Sequence, residues 1–97
     1  MSTSKPKQKL RPVVVTTAHR GVFFGYAGDT SGDTIKLERA RNCIRWSIDV
    51  RGFVGLASGG PTSGCRVGPA ANIELRNITA VLECTPEAVK EWEKAPW

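Results

Sequence analysis

The first patterned stretch is the β-branched run Val13-Val14-Val15-Thr16-Thr17, which predicts a strand. A short turn, Ala18-His19-Arg20-Gly21, leads to Val22-Phe23-Phe24-Gly25-Tyr26-Ala27, and the two runs predict a hairpin. Residues 28–33 are a cluster of Gly, Asp, Thr and Ser, which tolerate tight turns. From Thr34 to Ala40 the chain alternates, with Ile35 and Leu37 inward and Lys36 and Glu38 outward. Residues 42–48 alternate again, with Ile44, Trp46 and Ile48 on one face and Cys43, Arg45 and Ser47 on the other. These four short strands predict a meander.

A short helical segment is predicted after Asp49, carrying Val50, Phe53, Val54, Leu56 and Ala57, although Gly52 and Gly55 weaken it. Residues 58–68 hold four glycines and a proline and predict a loop. In the strand that follows, Ile73 and Leu75 fit one phase and Ile78, Ala80 and Leu82 the other. A bulge near Arg76-Asn77 accounts for the switch. Thr85 predicts an N-cap, Pro86 a first helical position and Glu87 a favourable first turn. Ala88, Val89 and Trp92 form the apolar stripe of that helix, and Pro96 ends it. The predicted fold is therefore mainly β: a small five- to six-stranded barrel or sandwich with a short C-terminal α-helix.

Ninety-seven residues, 40% hydrophobic and 24% charged, fit one small globular domain. No apolar run approaches the roughly 20 residues of a membrane-spanning helix. No secretory signal is read at the N-terminus, so the expectation is a cytosolic protein or a component of a particle assembled in a cytosol. A core of this size has a thin stability margin, and Trp92 and Trp97 near one end add to the expectation of a homo-oligomer.

The net charge is +5, but Lys5, Lys7, Lys9 and Arg11 carry four of those charges within residues 1–12, where no acidic residue stands. The rest of the chain is nearly balanced. Residues 1–12 therefore predict a disordered basic arm, with residues 13–97 as the folded domain. Such an arm suits phosphates on nucleic acid or an acidic protein surface, or serves solubility alone.

Cys43, Cys65 and Cys84 are far apart in sequence, and His19 is the one histidine, so no metal-binding spacing is present. The expectation is three reduced thiols, no metal and no cofactor. Acidic residues are scattered, and His19 has no acid or nucleophile in its segment, which argues against catalysis.

Three clusters could bind an anionic ligand. Arg39, Arg41 and Arg45 lie beside Trp46, and guanidinium groups hold phosphate while an indole stacks on a base; the alternative is a core tryptophan flanked by solvated charges. The glycine-rich loop carries Ser63 and Arg66 and offers backbone amides, without the order of any known phosphate loop. His19 and Arg20 form a cationic hairpin tip.

Four segments, taken together, resemble a known family: Gly21-Val22-Phe23-Phe24-Gly25, then Gly32-Asp33-Thr34-Ile35-Lys36-Leu37, then Ala40-Arg41-Asn42-Cys43-Ile44-Arg45-Trp46-Ser47, and residues 85–97. The family comprises uncharacterised small proteins of tailed bacteriophages and prophages. The resemblance implies a phage source, in the host cytoplasm or the virion, and no mechanism. With the arginine clusters it favours a non-catalytic, homo-oligomeric binder of an anionic small molecule such as a nucleotide, with sequestration of a host immune signal as one use. The alternatives are a virion-associated interaction protein using its basic arm, and a nucleic-acid binder.

Overall fold

The computed structural model describes residues 10–18, 21–46, 48 and 52–96. The elements run β1 (Arg11–Thr17), β2 (Val22–Ala27), β3 (Thr34–Arg45), α1 (Gly52–Ser58), β4 (Arg66–Val67), β5 (Ala71–Arg76), β6 (Ile78–Glu83) and α2 (Pro86–Lys94). The strands form one antiparallel sheet in the order β4-β3-β2-β1-β6, with β5 paired to the first half of β3. The fold is mainly β with a short C-terminal helix, as the pattern predicts. β5 and β6 do not pair with each other, so the sheet is open rather than a closed barrel.

β1 is an interior strand, between β2 and β6, and Val13, Val14 and Val15 are all fully buried. A three-residue apolar run inside a strand means that both faces are covered. Val14 joins Val22, Phe24, Cys43, Leu56, Ala57, Val67, Ala88 and Trp92 beneath the two helices. Val13 and Val15 join Ile35, Leu37, Ala40 and Leu75 on the opposite face. Ile73, Ile78 and Val81 close that second core from the bent run formed by β5 and β6. Asn77, at φ 58°, makes the bend, and asparagine tolerates this left-handed conformation better than most residues. The phase does switch at Arg76-Asn77, but the predicted single bulged strand is two strands with different partners, β5 on β3 and β6 on β1. Ile78 does not share a face with Leu82: a second register shift opposite Thr16 and Thr17 puts Val81 with Ile78 in the second core and Leu82 on the helix side.

Two expectations are corrected in β3. Residues 34–45 form one strand of 12 residues rather than two strands. The face carrying Ile44 and Ile48 is not the core face: Ile44 is 57% and Ile48 95% exposed, whereas Cys43 is buried. The cause is a bulge. Arg39 adopts φ 51°, its N–H donates to Asn72 Oδ1 at 2.9 Å, and the pairings with β2 and β5 both shift register there. One extra residue flips every later side chain to the other face. Gly25 lies against the bulge; a Cβ there would come within 2.9 Å of Leu37 Cβ and 3.2 Å of Ala40 Cα.

Strand β1 begins at Arg11, two residues before the predicted domain start, and Pro12 pairs with Tyr26. In α1, Leu56 and Ala57 are buried, but Phe53 and Val54 are exposed; the predicted Asp49 cap and Val50 lie outside the described residues.

A seven-residue helix containing two glycines has little stability alone. α1 is held by its C-terminal carbonyls. Gly59 N–H donates to Gly55 O, Trp92 Nε1 to Leu56 O at 3.0 Å, Thr85 N–H to Ala57 O at 3.0 Å, and Thr85 Oγ1 to Ser58 O at 2.7 Å. The four carbonyls that a helix end leaves open are thus all satisfied, three of them from residues at or in α2. Thr85 caps α2 as expected, accepting from Ala88 N–H at 3.1 Å, with Pro86 opening the helix. Trp92 is fully buried and stacks on Phe24, ring centroids 5.2 Å apart and planes within 9°.

Candidate functional site

The bulge at Arg39 divides the arginines that the sequence groups together. Arg39, Arg41, Arg45 and Trp46 do not converge on one site. Arg39 and Arg41 line one cavity, Arg45 another, and Trp46 a third.

Arg41 faces the helix-covered core because the bulge shifts it there. It is 6% exposed. Its Nε donates to Gly68 O at 2.8 Å and its Nη1 to Trp92 O at 2.7 Å. Trp92 belongs to the last turn of α2, so the guanidinium caps an open carbonyl and sets positive charge at the negative end of the helix. Burial lowers the pKa of this guanidinium, though arginine stays protonated. Nη2 is buried and has no hydrogen-bond partner among the described residues.

Beside it lies a cavity of about 300 Å³ lined by Phe24, Tyr26, Arg39, Arg41, Ala70 and Glu93. The Arg39 guanidinium lies 4.2 Å above the Tyr26 ring, a cation–π contact. The Tyr26 hydroxyl donates to Glu93 Oε2. Burial, with this hydrogen bond to Glu93, pushes the Tyr26 hydroxyl up to about 12, so it remains a donor at neutral pH. Tyr26 and Glu93 carry no motif signal; only the fold brings them to the arginines.

Arg45 behaves differently. At the end of β3 it pairs with Arg66 of β4, and the turn at residues 61–65 runs alongside. Arg45, Ser63, Gly64, Cys65, Arg66 and Pro96 line a cleft of about 360 Å³. The predicted loop residues Ser63 and Arg66 therefore meet Arg45 in one place. Among the described residues, neither arginine has a carboxylate within ion-pair distance. A neighbouring cavity shares Ser63 and Pro96 and adds Lys94, which pairs with Glu91 at 3.1 Å.

Trp46 is half-buried against the helix-side core and lines an apolar groove of about 440 Å³ with Val22, Phe53 and Ala80. The simpler alternative for it, a core-packing role, matches this position. Arg11 is engaged at the start of β1, 3.2 Å from both Glu83 Oε2 and Thr30 Oγ1. His19, Arg20, Lys5, Lys7 and Lys9 lie outside the described residues.

The thiols are free. Burial pushes Cys43 and Cys84 up to about 12. Among the described residues, no group of three or more His, Cys, Asp or Glu side chains could hold a metal ion. No helix among them is long and apolar enough to cross a membrane.

No curated protein and no solved structure matches the chain. The family described as Domain of unknown function (DUF6948) matches over residues 10–92, from the residue before β1 to the buried Trp92. The match spans every strand and both helices up to the last turn of α2, and so the chain belongs to the DUF6948 family.

Proposed function

We propose that this protein is a phage-encoded, non-catalytic binding protein, homo-oligomeric, whose ligand is a small anion such as a nucleotide, with Arg45, Ser63 and Arg66 as its phosphate-binding residues. The observation that carries the reading is the β3–β4 pairing, which sets Arg45 opposite Arg66 in one cleft with no carboxylate among the described residues that line it. Two guanidinium forks beside a hydroxyl suit the oxygens of a phosphate group. The phage source rests on the resemblance of residues 21–25, 32–37, 40–47 and 85–97 to proteins of tailed phages. Sequestration of a host signalling nucleotide is one use of such a protein. The exposed Ile44, Phe53 and Val54 support association between copies.

Calorimetric titration with inorganic pyrophosphate at low salt tests the cleft. Arg45→Ala and Arg66→Ala should each weaken binding about tenfold or more, since a charge-assisted hydrogen bond contributes about 1.5–3 kcal/mol. Both side chains are exposed, so melting should be unchanged. Full affinity in both variants would remove the cleft from consideration. Native mass spectrometry of the purified chain reports the subunit number and any bound nucleotide mass together.

A further inference from the structure

β6 has one neighbour in the sheet. It pairs with β1, and no other strand lies on its far edge among the described residues. Hydrogen bonding alternates along an antiparallel strand, so one bond shows which backbone groups point outward. Cys84 N–H donates to the carbonyl of Pro12 at 3.1 Å. That sets the backbone groups of Leu82 and Ala80 toward their register partners Val14 and Thr16, and those of Val81 and Glu83 away from the sheet. The other side of β1 has the matching phase: Thr17 N–H donates to Gly21 O at 3.0 Å, so the odd residues of β1 bond toward β2.

Folded proteins blunt free edges with charge, proline or short strands. β4 is two residues long, and β5 carries Glu74 and Arg76. Residues 78–82 of β6 include no charge, proline or glycine. Asp33 O meets the edge at its start, accepting from Ile78 N–H at 3.1 Å, and the register shift beyond it leaves residues 80–83 as the regular stretch. None of these is fully buried. Val81 rests on the second core yet stays partly exposed, and the Glu83 side chain is 77% exposed.

Outward N–H and C=O groups at strand spacing fit another strand, and the charge pattern selects β6 of a second copy. A charged peptide finds no counter-charge along residues 78–82, and Glu83 is already paired with Arg11 of its own chain. Around a twofold axis, Glu83 opposite Glu83 would set two carboxylates together. Val81 opposite Val81 would set Glu83 against Thr79, where the ladder is irregular. Leu82 opposite Leu82 lets Val81 of each copy bond with Glu83 of the other, and the two leucines meet on the helix side. Phe53 lines a groove with Thr79 and Ala80 and is 40% exposed, so it adds apolar surface beside that junction.

We infer that β6 is the subunit interface, pairing antiparallel with β6 of a second copy about a twofold axis at Leu82 to give one sheet across the dimer. The inference rests on the homo-oligomeric part of the function proposed above. The Arg45–Arg66 cleft lies on β3 and β4, at the opposite end of the strand order, and stays open.

The test is sedimentation over a range of concentrations, with amide exchange of the full chain followed by NMR. The wild type should dimerise, and in the dimer the Val81 and Glu83 amides should exchange at least about tenfold more slowly than in dilute monomer. Glu83→Pro and Val81→Pro each remove an outward N–H and no bond to β1, so each should weaken the dimer at least about tenfold while the fold and pyrophosphate binding persist. Where a proline variant fails to fold, wild-type exchange decides. A monomer at every concentration, a dimer whose Val81 and Glu83 amides exchange as fast as in the monomer, or a dimer unchanged by both substitutions would overturn the inference. Loss of pyrophosphate binding in the wild-type chain would count against the anion cleft alone.

Discussion

Arg41 Nη1 donates to the backbone carbonyl of Trp92 at 2.7 Å, and this bond joins the middle of β3 to the last turn of α2. Trp92 in turn donates from Nε1 to Leu56 O in α1. Strand, C-terminal helix and central helix are thereby linked through two side chains, both of them buried. Arg41 is first a structural element, whatever its remaining donor meets.

Removing that side chain should destabilise the fold strongly. Arg41→Ala strands the Gly68 and Trp92 carbonyls and opens a void, at about 2–4 kcal/mol. Arg41→Lys keeps the charge but cannot fork to two carbonyls, and should still lose about 1–2 kcal/mol. Urea unfolding followed by tryptophan fluorescence measures both; an Arg41→Ala midpoint equal to wild type would show that the link contributes nothing.

Thr85 serves two helices through one hydroxyl, capping Ala88 N–H and donating to Ser58 O. Thr85→Ala should cost about 1–2 kcal/mol, the upper part of the usual range for a lost cap. For a domain near 100 residues that corresponds to a fall in Tm of roughly 4–15 °C. Thr85→Ser retains the hydroxyl and should recover most of the loss in a thermal melt.

Gly60 and Gly32 have nearly the same positive φ, 79° and 78°, but different surroundings. A Cβ at Gly60 would lie 2.7 Å from Glu91 Cβ and 2.9 Å from the Ala88 carbonyl oxygen; at Gly32 nothing lies within 4 Å. Gly32→Ala should cost about 1–2 kcal/mol for the left-handed backbone alone. Gly60→Ala should exceed it by a further 1–3 kcal/mol or so, through overpacking against α2. Equal losses on chemical denaturation would mean that the 59–61 segment moves away from the helix.

Alkaline stability follows from Cys43, Cys84 and Tyr26, whose folded-state values rise to about 12 from the usual 9, 9 and 10. The dominant cause in each is burial, which disfavours the charged form. Above pH 9 the unfolded chain releases these protons before the folded chain does, so stability declines as pH rises from 9 toward 12 and is fully present below 9. Urea midpoints at pH 8, 9, 10 and 11 should fall in that order, and replacing Cys43 and Cys84 with Ala or Ser should flatten the decline. In native protein at pH 8, Cys43 and Cys84 should resist iodoacetamide and react once the chain is unfolded.

Much of the architecture was legible in the residues themselves. The β-branched run at 13–17, the hairpin partner at 22–27 and the Thr85-Pro86 start of α2 are local signals, set by propensity, turn chemistry and capping, and each lies where its pattern predicts. The switch at Asn77 itself was visible in the alternation on either side of it, though not that the two halves are separate strands on different partners. These features depend only on neighbours in sequence.

The site was not legible in the same way. Arg39 gives no local sign of its positive φ, which is stabilised by Asn72, 33 residues away. That bulge decides which face the next residues of β3 take, up to a second register shift against β4 between Cys43 and Arg45. It buries Cys43, exposes Ile44, turns Arg41 toward Trp92 and leaves Arg45 beside Arg66. Tyr26 and Glu93, 67 residues apart, meet only because β2 and α2 pack together. The sequence by itself determined the mainly β class, the β1–β2 hairpin, the C-terminal helix and the residue types capable of holding an anion. Only the tertiary structure decided which arginines share a cavity, because side-chain direction after a bulge is set by long-range pairing and packing rather than by local alternation.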